Sequence, residues 1–138
     1  MHGLSIDHAT IRTARLADTI AFYQAFLGFS VGWRPSLTNS GAWLYAQGGD
    51  APILHLIETP EDVGQGGMFD HIAFRGTGLL RYLDRLKAAD VAFLARPVPE
   101  TRLTQVHHFD PNGVKIEVAF EEQVDADLLR CDLPYPAA

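Results

Sequence analysis

A repeat with an offset of 63 residues constrains the fold of this chain more than any other feature. One copy runs from Asp7 and reads DHATIRTARLADTIAFY, and the other runs from Asp70 and reads DHIAFRGTGLLRYLDRL. At this offset Arg12 aligns with Arg75, so both copies contain the pattern Asp-His-x-x-x-Arg. Because repeated segments fold alike and bury their apolar faces against a neighbour, the sequence predicts two similar modules.

Each copy predicts one strand, one helix and three further strands. In the first copy the strands are expected over about 4–12, 29–34, 42–47 and 53–58, and the helix over about 15–27. In the second copy the strands are expected over about 70–75, 91–96, 103–109 and 114–120, and the helix over about 78–89. The predicted fold class is therefore α+β, with two βαβββ modules.

The glycine-rich stretch 64–67 separates the modules. Module one is expected over about 4–62, module two over about 68–121, and a tail with a short helix over 122–138. Since neither module alone covers both faces of its sheet, we expect a single domain over 1–138.

Four predicted strands each carry one side chain that can bind a metal on their polar face. His55, for example, lies between Leu54 and Leu56 and must point away from them. The spacing is also repeated, with 47 residues between the two members in the first copy and 46 in the second. The four candidate ligands are His8, His55, His71 and Glu117. Imidazole nitrogens and a carboxylate suit one divalent metal per site, namely Zn, Fe, Mn, Ni or Co.

Further residues with candidate roles lie on the same strands or beside them. His107 and His108 are adjacent in one strand and face opposite ways, and either is suited to proton transfer because its ordinary pKa is near neutrality. Alternation alone leaves open which of the two faces the site. Arg12 and Arg75 share the face of the candidate ligands and are expected to bind a carboxylate or phosphate of a substrate.

Several segments together resemble the vicinal-oxygen-chelate superfamily, which includes glyoxalase I, fosfomycin-resistance thiol transferases, extradiol dioxygenases and bleomycin-resistance proteins. They are Ile6-Asp7-His8, FYQAFLGF at 22–29, FDHIAF at 69–74 and FDPNGVKIE at 109–117. The resemblance covers about 4–120 and implies a homodimer in which modules pair into an open barrel around each site.

The resemblance also implies roles for individual residues. His8, His71 and Glu117 match the three-ligand set of the thiol transferases and the ring-cleaving dioxygenases. His55 falls where bacterial glyoxalase I has a metal-binding glutamate that also shuttles protons, which makes it the candidate fourth ligand and a catalytic candidate. His107 falls where extradiol dioxygenases carry an active-site tyrosine, so it is the other catalytic candidate.

Three functions follow as alternatives. A glyoxalase-like lyase or isomerase would act on a small substrate that chelates the metal through two oxygens, and four protein ligands would leave two open positions for it. An extradiol-type Fe(II) dioxygenase needs a third open position for dioxygen and therefore only three protein ligands. The third alternative is a non-catalytic protein that binds or sequesters a small molecule.

Composition argues against nucleic-acid and membrane partners, and we expect a small-molecule substrate. The net charge of −6 and the lack of a basic stripe argue against nucleic acid. No apolar run approaches the length that spans a bilayer, and the N-terminus lacks the pattern of a signal peptide. With Cys131 as its single cysteine, the chain is expected in the cytoplasm.

Overall fold

The computed structural model describes residues 6, 8–62, 64, 69 and 71–136. The chain divides into two compact units, Met1–Gly64 and Gln65–Ala138. Asp7 and Asp70, which open the two sequence repeats, lie outside the described residues.

The first unit is a four-stranded mixed sheet with one helix. Its elements are β1 (Ala9–Thr13), α1 (Leu16–Leu27), β2 (Ser30–Val31), β3 (Gly41–Tyr45) and β4 (Pro52–Glu58). The strand order is β1-β4-β3-β2, with β1 parallel to β4 and the other pairs antiparallel. Helix α1 ends where Gly28 adopts a left-handed conformation (φ 69°) and donates its N–H to the Tyr23 carbonyl.

The second unit repeats this arrangement. Its elements are β5 (His71–Gly76), α2 (Leu79–Ala88), β6 (Leu94–Pro97), β7 (Thr104–Phe109) and β8 (Lys115–Phe120), followed by a short 3₁₀ helix over Ala126–Leu129. The strand order is β5-β8-β7-β6, again with the first strand parallel to the last. The predicted α+β class and the two βαβββ modules are confirmed. The single domain over 1–138, the open barrel and the homodimer stay predictions.

Strands β2 and β6 begin later than the sequence predicts, because the preceding helix ends include their first predicted residues. β6 begins at Leu94 rather than near 91, since the Val91 N–H still bonds the Leu86 carbonyl of α2 (2.9 Å). β2 begins at Ser30 rather than near 29, because the Phe29 N–H bonds back to α1 at the Tyr23 carbonyl (3.2 Å), and it ends at Val31 rather than near 34. Apolar periodicity does not distinguish the last turn of a helix from the start of a strand.

One face of each sheet forms the core of its unit. In the first unit the alternate residues Leu54 and Leu56 are fully buried, and Tyr23 of α1 is buried with them. In the second unit Ile116, Val118 and Phe120 of β8 are buried together with Leu83 and Leu86 of α2. The candidate site residues of β4 and β7 alternate with these core positions, as the sequence predicts.

Each helix is tied at its start to the segment that follows the last strand of its own unit. In the first unit Arg15, which precedes α1, forms an ion pair with Asp62 (3.0 Å). In the second unit the Glu122 carboxylate accepts hydrogen bonds from the backbone N–H groups of Gly78 (2.6 Å) and Leu79 (3.1 Å) at the start of α2. A carboxylate at this point satisfies N–H groups that have no partner within the helix.

Among the described residues no helix has the length and apolar character needed to cross a membrane.

Candidate metal centre

The register of the two sheets places the candidate ligands at equivalent points. In the first unit His55 of β4 pairs with Thr10 of β1, and in the second unit Glu117 of β8 pairs with Ala73 of β5. Thr10 and Ala73 each lie two residues after the histidine of their repeat, His8 or His71. The repeat seen in the sequence therefore holds in the hydrogen-bonded ladder, and each sheet presents its two candidates on one face.

In the second unit three polar side chains surround the buried carboxylate of Glu117, which is 7% exposed. Its Oε2 lies 3.2 Å from His71 Nε2 and 3.1 Å from His107 Nε2. Its Oε1 accepts a hydrogen bond from the Gln105 amide nitrogen (2.7 Å). Since a carboxylate only accepts, His107 donates from Nε2, and the basic lone pair of its neutral form is then on Nδ1.

The spacing between His71 and Glu117 fits two ligands of one cation. Two donor atoms that bind a metal at about 2.0–2.2 Å and at right angles to each other are separated by about 3 Å. The observed distance of 3.2 Å between His71 Nε2 and Glu117 Oε2 agrees with this separation. Within the part of the chain that the structure describes, no group of three His, Cys, Asp or Glu side chains is arranged to hold a metal ion.

In the first unit the two candidate histidines lie ring against ring. The rings of His8 and His55 are stacked with centroids 3.8 Å apart and planes inclined by 14°. The other face of His55 is covered by Trp43 of β3, with centroids 4.1 Å apart and an angle of 9°. His8 is exposed, whereas His55 and Trp43 are half-buried.

The structure also shows which of the two adjacent histidines in β7 faces Glu117. His107 lies beside it, while His108 points into the core and is fully buried. Burial, with a smaller effect of His107, lowers the pKa of His108 to about 4, and burial raises the pKa of Tyr82 above its ordinary value. The Tyr82 hydroxyl therefore stays protonated and donates to Nε2 of a neutral His108 (2.6 Å).

The two candidate substrate-binding arginines also lie at equivalent positions. Arg12 of β1 pairs with Ile57, and Arg75 of β5 pairs with Ala119, each two residues beyond the ladder position of His55 or Glu117. Both are exposed. Each sheet therefore carries a cationic side chain on the ligand-bearing face, about 7 Å further along the strand.

One contact at the candidate site that the sequence does not predict is that of Gln105 with Glu117. The available signal was that Gln105 lies two residues before His107 and therefore shares its face. A glutamine on a strand has many ordinary roles, so this signal alone did not identify it.

The match to a protein family decides the classification. A family model described as the Glyoxalase/Bleomycin resistance protein/Dioxygenase superfamily matches residues 5–118. The chain belongs to this superfamily. The vicinal-oxygen-chelate resemblance predicted from the sequence is thereby confirmed.

Relatives within the superfamily include both a curated protein and solved structures. The chain is 27% identical over 124 residues to "Glyoxylase I 4" of Arabidopsis thaliana, covering 86% of this chain and 71% of that protein. The fosfomycin resistance protein FosX of Listeria monocytogenes superposes with a TM-score of 0.65 at 20% identity, covering 94% of this chain and 99% of FosX. A glyoxylase/bleomycin resistance protein/dioxygenase domain from Frankia sp. EAN1pec has a TM-score of 0.66 at 21% identity, covering 87% and 98%.

A further FosX structure, of a mutant, contains Mn(II) and 1S,2S-dihydroxypropylphosphonic acid. It superposes on this chain with a TM-score of 0.65 at 21% identity, covering 86% of this chain and 91% of that chain. At these identities the solved structures show that the fold is shared.

Proposed function

We propose that the chain is a metal-dependent enzyme that binds one divalent cation through His8, His71 and Glu117. It acts as a lyase or isomerase on a small substrate that offers two neighbouring oxygens. The observation that carries this proposal is the buried Glu117 carboxylate with His71 Nε2 at 3.2 Å, the spacing of two ligands on one cation. When bound, the cation would act as a Lewis acid that stabilises negative charge developing on a substrate oxygen.

The residues around Glu117 prepare the carboxylate for this role. Gln105 holds Oε1 and His107 holds Oε2, so both oxygens are oriented. Such hydrogen bonds to a metal ligand fix its geometry and commonly strengthen metal binding.

His107 is the residue proposed to move a proton during the reaction. Because its Nε2 donates to Glu117, its Nδ1 carries the lone pair that takes a proton from the substrate and later returns it. His108 has no part in this transfer, since it is buried on the other face of β7 against Tyr82.

Arg12 and Arg75 are proposed to bind an anionic group of the substrate. Both are exposed cations on the ligand-bearing faces of their sheets. The compound bound by FosX combines a vicinal diol with a phosphonate, which illustrates a ligand with both features. The similarity to "Glyoxylase I 4" supports lyase or isomerase chemistry as the first candidate.

A second candidate is extradiol-type cleavage of a catechol with Fe(II) and dioxygen. The stacking of His8 on His55 favours it, because three protein ligands leave three positions for two substrate oxygens and dioxygen. A third outcome is a protein that binds a small molecule and turns none over.

Metal content and proton exchange together test the proposal. Protein purified without chelators is expected to contain about one divalent cation per chain, and His71→Ala or Glu117→Ala is expected to abolish this content. Arg81→Ala, at an exposed position of helix α2, serves as a control that keeps the metal.

The reaction is tested with the metal-loaded enzyme and a panel of α-hydroxycarbonyl compounds in deuterated water. Lyase or isomerase chemistry predicts that solvent deuterium enters the substrate at the carbon beside the carbonyl, without oxygen uptake. Oxygen uptake with catechols would instead support the second candidate. Stoichiometric metal with neither reaction would support the binding protein, and metal retained in both ligand variants would refute the site.

A further inference from the structure

Three aromatic rings lie face to face in the first unit, in the order Trp43, His55 and His8; we call them the ring stack. The middle ring is 4.1 Å from the indole and 3.8 Å from the outer imidazole, and both angles are below 15°. His55 is thus covered on both faces by aromatic rings.

In this stacked arrangement His8 and His55 do not converge on a point where both could bind one cation. A histidine binds a metal through a lone pair in the plane of its ring, at about 2.0–2.2 Å from the nitrogen. The stacked rings are in van der Waals contact, with centroids 3.8 Å apart, and their planes converge by only 14°. A cation in the plane of His8 would therefore lie roughly 2.5 Å or more outside the plane of His55, too far for a bond of ordinary length.

We infer that His55 is a positioning residue, which holds the ring of the metal ligand His8 by stacking and is not itself a ligand. The inference rests on the proposed function, since it assumes that His8 binds the cation. Ligand histidines need a fixed ring orientation, which is usually provided by a hydrogen bond to the second nitrogen. The face of His55, backed by Trp43, adds a further restriction on rotation of the exposed His8 ring.

In both units a side chain of the third strand along the chain, β3 or β7, contacts the candidate residue of the fourth strand. Trp43 of β3 pairs with His55 of β4, and His107 of β7 pairs with Glu117 of β8. At this shared ladder position the third-strand side chain contacts the fourth-strand side chain, by stacking in one unit and by a hydrogen bond in the other. In the first unit that support passes through His55 to His8.

Three substitutions separate a stacking role from ligation. His55→Phe keeps an aromatic ring and removes both nitrogens, His55→Gln keeps a polar group and removes the ring, and His55→Ala removes both. Each purified protein is titrated with Co(II), and its affinity and visible absorption spectrum are measured, because the spectrum reports the number and type of ligands.

The inference predicts that His55→Phe binds Co(II) within about threefold of the parent and with the same spectrum. His55→Gln and His55→Ala are expected to bind about 10–100-fold more weakly, the usual effect of losing a residue that supports a ligand. Trp43→Phe should keep the affinity of the parent, whereas Trp43→Leu should weaken it, although neither change touches a metal-binding atom. The Trp43 pair also provides a test if a His55 variant fails to fold.

Two results would overturn the inference: His55→Phe that loses Co(II) or changes its spectrum, or His55→Ala and His55→Gln that bind like the parent. His8→Ala and His71→Ala are the reference for the loss of a true ligand. If the parent binds no Co(II), the proposed function fails and the inference fails with it. If the parent binds Co(II) and only the His55 or Trp43 results disagree, the inference alone is wrong.

Discussion

The buried His108 is expected to make the stability of the second unit depend on pH. Burial, with the nearby His107, lowers its pKa from an ordinary value of 6.5 to about 4, against a smaller opposing effect of a backbone hydrogen bond at Phe109. Between these two pH values the unfolded chain binds a proton at this residue and the folded chain does not. Stability should therefore fall as the solution is acidified from about pH 6.5 to about pH 4, with no further loss from this residue below that.

The magnitude follows from the size of the shift. A pKa lowered from 6.5 to about 4 corresponds to about 3 kcal/mol, at about 1.4 kcal/mol for each unit. This is a large part of the 5–15 kcal/mol that is typical for a folded domain. The Tyr82 hydroxyl does not stabilise the charged form of His108. It is neutral, and it donates its hydrogen bond to the unprotonated Nε2.

The assay is urea unfolding of the metal-free protein at several pH values, for the parent and for His108→Gln. Glutamine still offers an oxygen to the Tyr82 hydroxyl but does not titrate in this range. Both tryptophans, Trp33 and Trp43, lie in the first unit, so their fluorescence would not report unfolding of the second. Unfolding is therefore followed by far-UV circular dichroism and by amide exchange in β7. A chelator in every sample removes the separate effect of protonating metal ligands.

The difference in unfolding free energy between parent and His108→Gln should change by about 3 kcal/mol from pH 6.5 to pH 4, to the disadvantage of the parent. Effects of pH that are common to both proteins cancel in this difference. If parent and variant lose stability equally over the range, His108 is not the buried neutral group described here and the reasoning is refuted.

Three further predictions concern the site and its assembly. Gln105→Leu should weaken metal binding about 10–100-fold by releasing Glu117 Oε1, as measured by competition with a chelating dye; an unchanged affinity would show that this hydrogen bond has no supporting role. Arg12→Gln and Arg75→Gln should raise KM about 10-fold or more for substrates with a carboxylate or phosphonate while kcat changes little, and equal effects on neutral substrates would contradict anion binding. Sedimentation at micromolar concentration should give twice the mass of one chain, and a monomer with full metal content would contradict the homodimer.

The repeat and the alternation of strand residues made most of the fold predictable. Side chains on a strand change face at every residue, so Leu54, His55 and Leu56 could be assigned to faces from their order alone. The ladder then keeps the spacing of the repeat, since His55 and Glu117 pair with Thr10 and Ala73 at corresponding points.

The same alternation could not decide between His107 and His108. It shows that they face opposite ways but not which face the helix covers. That choice depends on packing between distant elements, where Tyr82 of α2 reaches His108 and burial makes this the core face. Helix α2 and strand β7 are far apart in the sequence, so a pattern within one strand carries no information about their contact.

The ring stack could not be predicted from the sequence for a different reason. His8 and His55 were both expected on the ligand-bearing face, and their spacing matched that of His71 and Glu117. Whether two such side chains converge on a point or lie flat against each other depends on side-chain torsion angles. Trp43, which pairs with His55 across the sheet, supplies the second surface that favours the flat arrangement.

The ties between each helix start and the end of its own sheet imply that the two units respond differently to salt. Arg15 and Asp62 are both about half exposed (48% and 57%), and ions in solution screen such a pair. Glu122 instead accepts hydrogen bonds from two backbone N–H groups at the start of α2, and these part-buried contacts are screened less than an exposed ion pair. Concentrated salt should therefore speed deuterium uptake at the first turn of α1 while the amides of Gly78 and Leu79 remain protected. Two units with the same order of elements would then begin to unfold at their helix starts under different solvent conditions.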